Sequence, residues 1–145
     1  MDKNGGPLQI KSGSKDTVSL TTRDLLWLEG NTLTHNHPSG SSLSFEDVLA
    51  ASTANAQEIR AVGRSPLDNT PYIYSIKRPV GGWPHPITLK GWIGDAIPKV
   101  RKSLESNLNA GKISESERNS ERMHALWSYL SSTNDHFIYT REPLQ

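Results

Sequence analysis

A chain of 145 residues, 34% hydrophobic and 21% charged, suffices for one domain with a modest core, or one domain plus a small appendage. Sixteen Lys and Arg against fifteen Asp and Glu leave a formal charge of +1, so the electrostatic footprint of a nucleic-acid binder is missing. The absence of cysteine excludes disulfide scaffolds, thiolate zinc fingers, Fe–S clusters and cysteine nucleophiles.

No apolar run approaches the roughly 18 residues of a membrane span. The opening stretch lacks the apolar heart of a signal peptide, so a cytoplasmic protein without membrane contact is expected. Any metal site must use His, Asp or Glu, and only five His are present.

In chain order, Leu8–Lys11 and Thr17–Leu20 read as a hairpin around a Ser-Gly-Ser turn. Thr22 is placed to cap a short helix over Arg23–Glu29, ended by Gly30. Asn31–His37 alternates as a strand, with Leu33, His35 and His37 on one face. Pro38–Ser42 is loop, and Ser44 with Asp47 is a capping signature for a helix reaching about Asn55.

Ile59–Val62 and Tyr72–Ile76 read as antiparallel strands, and Pro79–Pro86 is irregular and the best candidate boundary. Beyond it, Ile97, Val100, Leu104 and Leu108 fall at helical spacing. Pro98 belongs in a first turn, so that helix is expected to start near Asp95. A second capping box, Ser114 with Glu117, precedes the Met123, Leu126, Trp127, Leu130 stripe, and His136–Thr140 returns as a strand. The sum is an α+β fold, a central mixed sheet flanked by helices. Residues 1–145 form a single domain, with a core and the metal motif in 1–78 and helices and a last strand in 87–145.

The chemistry-bearing stretch is Thr34-His35-Asn36-His37-Pro38-Ser39-Gly40, followed by Ser44 and Asp47. Residues two apart on a strand share a side, with Cα atoms roughly 6–7 Å apart, so the imidazoles of His35 and His37 can converge on one cation. A carboxylate in the first turn of a helix is kept ionised by the helix dipole, which suits Asp47 as a third ligand. Two neutral His, one carboxylate and an open fourth position compose a catalytic zinc site. Zinc lowers the pKa of a bound water from 15.7 to about 7. Ser44 stands near enough in sequence to hydrogen-bond that water or an oxyanion. The plain alternative is that Ser44 and Asp47 only cap a helix. The two roles are compatible, because a capping carboxylate can keep an oxygen for a metal.

His-Asn-His-Pro-Ser-Gly followed by Ser-x-x-Asp resembles the JAMM (JAB1/MPN/Mov34) metalloprotease signature, especially its RadC-like bacterial branch. A wider pattern over Lys11–Leu20, Thr34–Asp47, Glu58–Val62, Tyr72–Pro79 and His124–Trp127 is similar to C-terminal domains of phage Mu F-like head-morphogenesis proteins and polymorphic toxins. The resemblance implies a cytidine-deaminase-like architecture and a zinc-dependent hydrolase of peptide, isopeptide or related amide bonds. It implies His35, His37 and Asp47 as ligands and Ser44 at the oxyanion. It also implies a peptide or protein substrate, ubiquitin-like or peptidoglycan among the candidates, and a larger parent polypeptide or a phage or secretion partner.

Two departures stand out. Nine residues separate His37 from Asp47, one fewer than in the family's pattern. The family's general base is a Glu on an early strand, and Met1 falls almost where that strand should lie. Of Asp2, Asp16, Asp24 and Glu29, only Glu29 is a glutamate, and it is the substitute considered, reaching the metal by folding back. The chain is therefore a weakened member, a fragment, or a domain using a substitute acid; loss of a general base costs about 10²–10⁴ in rate.

The tripeptide His35-Asn36-His37 does not make an HNH nuclease, whose named residues are dispersed over a ββα unit. His124 reads as a packing residue, His85 as a loop residue, and Trp83 and Trp92 as loop anchors or walls of a substrate groove. Arg60, Lys77 and Arg78 read as a solvated strand face. Glu115–Arg122 reads as an exposed helix side with Glu117 and Glu121 paired to Arg118 and Arg122. Three classes remain: a zinc hydrolase, a non-catalytic phage accessory or effector module that keeps the fold, and a RadC-like protein acting near DNA, which the near-neutral charge disfavours.

Overall fold

A computed structural model describes residues 29–36, 42–65, 68–134 and 137–144. The hairpin expected over Leu8–Leu20 and the helix expected over Arg23–Glu29 lie outside the described residues, except that Glu29 is in an isolated bridge rather than a helix, and His37 also lies outside them. Among the described residues the order is β1 (Thr32–Asn36), α1 (Phe45–Ala54), β2 (Glu58–Arg64), β3 (Pro71–Lys77), α2 (Pro86–Asn109), α3 (Glu115–Thr133) and β4 (Ile138–Pro143). The four strands form one mixed sheet in the order β1-β2-β3-β4, parallel between β1 and β2 and antiparallel thereafter. None of the described helices is long and apolar enough to cross a membrane.

Alternation along the strands decides which face the helices cover. Ile59 and Ala61 of β2, Tyr74 and Ile76 of β3, and Tyr139 of β4 are buried, whereas Thr34, Lys77, Ile138 and Thr140 point the other way and are exposed. Over the buried row lie Val48 and Ala51 of α1, Leu89, Ile93 and Ala96 of α2, and Leu126, Trp127 and Leu130 of α3. One apolar cluster therefore draws on both sides of the Pro79–Pro86 segment.

α1 is bounded as its sequence requires. Ser44 is the N-cap with both hydrogen bonds of a capping box, and Asn55 closes the helix in the left-handed region at φ 54°. α3 opens on the same device at Ser114 and Glu117. α2 departs from expectation: it starts at Pro86, not near Asp95, with His85 as N-cap accepting from the Ile87 amide at 3.1 Å. Pro86 fills a first-turn position where the missing N–H is no loss.

Pro98 lies inside α2, not in its first turn. Pro98 and Gly94, whose carbonyl it leaves without an amide partner, both lie on the exposed side of the helix, open to solvent. The charges of α3 keep one pair at helical spacing, Arg118 with Glu115 at 3.5 Å, and otherwise reach to other elements. Arg118 donates to Glu105 of α2 at 2.7 Å, and Glu121 accepts from Arg141 of β4 at 2.9 Å. The shorter bonds are to neighbouring elements.

Candidate functional site

β1, α1 and β2 form a βαβ unit, and its dimensions bring the halves of the motif together. At one end, Gln57 donates to the Asn31 carbonyl at 2.8 Å, Gly30 donates to the Asn55 carbonyl at 3.1 Å, and Glu29 bridges Ala56. The C-terminus of α1 is thus tied to the start of β1. From that tie, five strand steps to Asn36 cover about 16 Å. The ten residues of α1 run back about 15 Å in the same direction. The carboxyl end of β1, bearing His35, and the first turn of α1, bearing Ser44 and Asp47, therefore come level. The crevice outside the carboxyl ends of parallel strands is where α/β sheets bind ligands.

His35 is the fourth residue of β1, in register with Ala61 of β2, which faces Tyr74 of β3 and beyond it Arg141 of β4. Asp47 is 8% exposed, and its Oδ2 accepts from the Ser44 amide at 2.9 Å. Ser44 Oγ accepts from the Asp47 amide at 3.2 Å. That bond uses a lone pair of the hydroxyl and leaves its proton, for which the described residues supply no acceptor. A carboxylate offers about four lone-pair sites, so capping and metal coordination are compatible roles for Asp47. Among the described residues no three His, Asp or Glu gather about one point; the expected trio needs His37, which lies outside them.

Glu29, the candidate base, is exposed and held by its bridge to Ala56 at the opposite end of α1. From there to Asp47 is nine residues of rise, about 13 Å. The structure does not bring Glu29 to the capping box.

The far half of the chain supports the motif through groups whose role pattern alone did not give. Trp127 Nε1 donates to the Leu43 carbonyl at 2.7 Å, and its ring meets Phe45 edge-on at 6.2 Å between centroids. Ser42, 2% exposed, shares a 2.9 Å hydrogen bond with the Tyr139 hydroxyl, which lies 2.8 Å from His124 Nδ1. Helix α3 and strand β4 thus hold residues 42–45, the segment that leads into the capping box. At the other end of α1, Trp83 Nε1 donates to the Ala56 carbonyl at 2.7 Å and Ser52 Oγ to the Pro84 carbonyl at 2.7 Å. Trp83 is a loop anchor rather than a groove wall. In the sequence His124 and Trp127 were linked by helical phase and by the wider resemblance, and neither carries information about partners on other elements.

Electrostatics follow from burial. Desolvation lowers the His124 pKa, with a smaller push in the same direction from Arg141 and an opposing one from Glu121. Burial raises the hydroxyl of Tyr139 well above its ordinary range, against the Ser42 hydrogen bond. On the opposite face, burial alone would raise Glu58, but hydrogen bonds from Arg60 and Ser75, both 2.6 Å, outweigh it and lower the carboxyl. Arg60 is therefore a partner of Glu58 and not merely a solvated side chain. Compared with protein-family models, curated proteins and solved structures, the chain shows no match to any of them.

Proposed function

We propose that this chain is a zinc-dependent hydrolase of peptide, isopeptide or related amide bonds, similar to JAMM metalloproteases and associated with a phage, toxin or effector. The observation that carries the reading is that the end of β1 bearing His35 and the first turn of α1 bearing Ser44 and Asp47 lie level at the same end of the βαβ unit. His35, His37 and Asp47 would hold the ion. Bound zinc would supply a Lewis acid and bring a water's pKa to about 7. Asp47, buried and oriented by the Ser44 amide, brings a fixed anionic oxygen at little entropic cost. The Ser44 hydroxyl, accepting from Asp47, has its proton to give to an oxygen that gains charge.

A second reading is favoured by one observation: Glu29, the glutamate considered as the base, stands at the far end of α1 from Asp47. That fits a non-catalytic accessory or effector module that keeps the fold. Zinc analysis of purified protein tests the metal first. One equivalent per chain, lost in His37→Ala, is expected; full metal retention in that variant overturns the ligand assignment. Turnover of ubiquitin-like, peptidoglycan and generic peptide substrates then separates hydrolase from silent module.

A further inference from the structure

Beside the first turn of α1 a cleft of about 440 Å³ opens between α2 and α3. Its size is in the range of a ligand pocket. Phe45, Ile97, Leu104 and Met123 give it an apolar lining, and Phe45 is the residue next to Ser44. The rim is one-sided in charge. It carries Arg101, Arg118 and Arg122 against a single acid, Glu105. Arg118 is engaged by Glu105 at 2.7 Å, while Arg101 and Arg122 are exposed and make no ion pair among the described residues.

An apolar floor under two uncommitted guanidinium groups selects an occupant that is apolar and anionic at once. We propose that this cleft binds a peptide segment presenting an aliphatic or aromatic side chain flanked by acidic residues, the side chain seated between Phe45 and Leu104 and the carboxylates on Arg101 and Arg122. Arg is the residue suited to carboxylate recognition, since its planar fork pairs bidentately. The cleft and Asp47 share one turn of helix, so a peptide lying here needs only a few residues, at about 3.3 Å each, to pass the mouth of the βαβ unit. The inference deepens the hydrolase reading by naming its substrate class, and it rests on that reading for the direction in which the peptide runs.

The test is fluorescence anisotropy with a labelled nonapeptide bearing a central Leu between Glu residues. It is run with the full chain in a chelating buffer, so that binding does not depend on metal. Saturable binding is expected, weakened at least tenfold in Arg101→Glu/Arg122→Glu and weakened by added salt. Replacing the peptide's Leu by Ser, or its Glu by Lys, is expected to abolish binding. Both arginines are exposed, so the double variant should keep the wild-type melting temperature. As a second route, Leu104→Trp fills the cleft and should block binding with the arginines intact. Equal affinity for the Glu and Lys peptides, no loss in the double variant, or preference for a single-stranded DNA probe over the peptide overturns the proposal. Binding that persists in a protein unable to cleave any peptide with zinc restored removes the hydrolase reading and leaves the cleft standing.

Discussion

Ser44 and Asp47 exchange two hydrogen bonds across the first turn of α1, and the exchange separates their structural and chemical roles. Asp47→Asn keeps an oxygen that can accept from the Ser44 amide but removes the charge. It should unfold near the wild-type denaturant midpoint and lose its zinc, measured side by side by urea titration and metal analysis. Ser44→Ala should cost about 1 kcal/mol of stability through the lost cap. If Asp47→Asn retains a full equivalent of zinc, Asp47 is a capping residue only. At Tyr139, Phe removes the hydroxyl between Ser42 and His124 and leaves the buried Ser42 oxygen without that partner. A loss of about 1–3 kcal/mol is expected. An unchanged midpoint would mean that water or another group replaces the hydroxyl. The pairing of Ser44 with Asp47 was legible because a capping box is local in sequence. The link of Ser42 to Tyr139, 97 residues away, was not.

At the scale of elements, α1 and α3 begin where their capping boxes stand, because the cap satisfies amides that the helix cannot. β2 and β3 form the expected antiparallel pair, extended by one or two residues at each end beyond the apolar runs that marked them. α2 shows where pattern reading stops: it begins at the His85-Pro86 start, nine residues before the expected one, and carries Pro98 through its middle. Proline in a helix interior is about 3 kcal/mol less favourable than alanine. The rest of α2 compensates by burying Leu89, Ile93, Ala96 and Val100. Pro98→Ala should therefore stabilise the protein by about 1–3 kcal/mol, the lower figure if loss of proline also loosens the unfolded chain. A urea midpoint lower than wild type would show that the proline, rather than the buried face, sets the fit of α2.

For the molecule as a whole, stability should depend on pH through His124 and Glu58. The folded state disfavours protonated His124, so near its ordinary pKa of 6.5 the unfolded chain binds more protons. Stability is therefore greatest above pH 6.5 and falls as pH drops toward the folded value, where it levels off. Glu58 acts lower on the scale: its carboxyl is depressed from 4.5, so its contribution is present above that value and is lost as pH falls through the folded pKa. His124→Gln should flatten the melting-temperature profile between about pH 7 and 5 while leaving the acid limb in place. A wild-type slope in that variant would assign the upper transition to another group.

Sequence alone determined the short-range features: the starts of α1 and α3 from their capping boxes, strands from alternation, and the closeness of His35, Ser44 and Asp47 along the chain. These are set by bonds and periodicities that span only a few residues. The tertiary structure alone decided that Glu29 is tied to the far end of α1. It also decided that Trp127 and Tyr139 hold residues 42–45, and that three arginines and one glutamate rim a cleft beside Phe45. Those arrangements depend on which faces of separate elements bury each other, and burial joins residues with no regard to their distance along the chain.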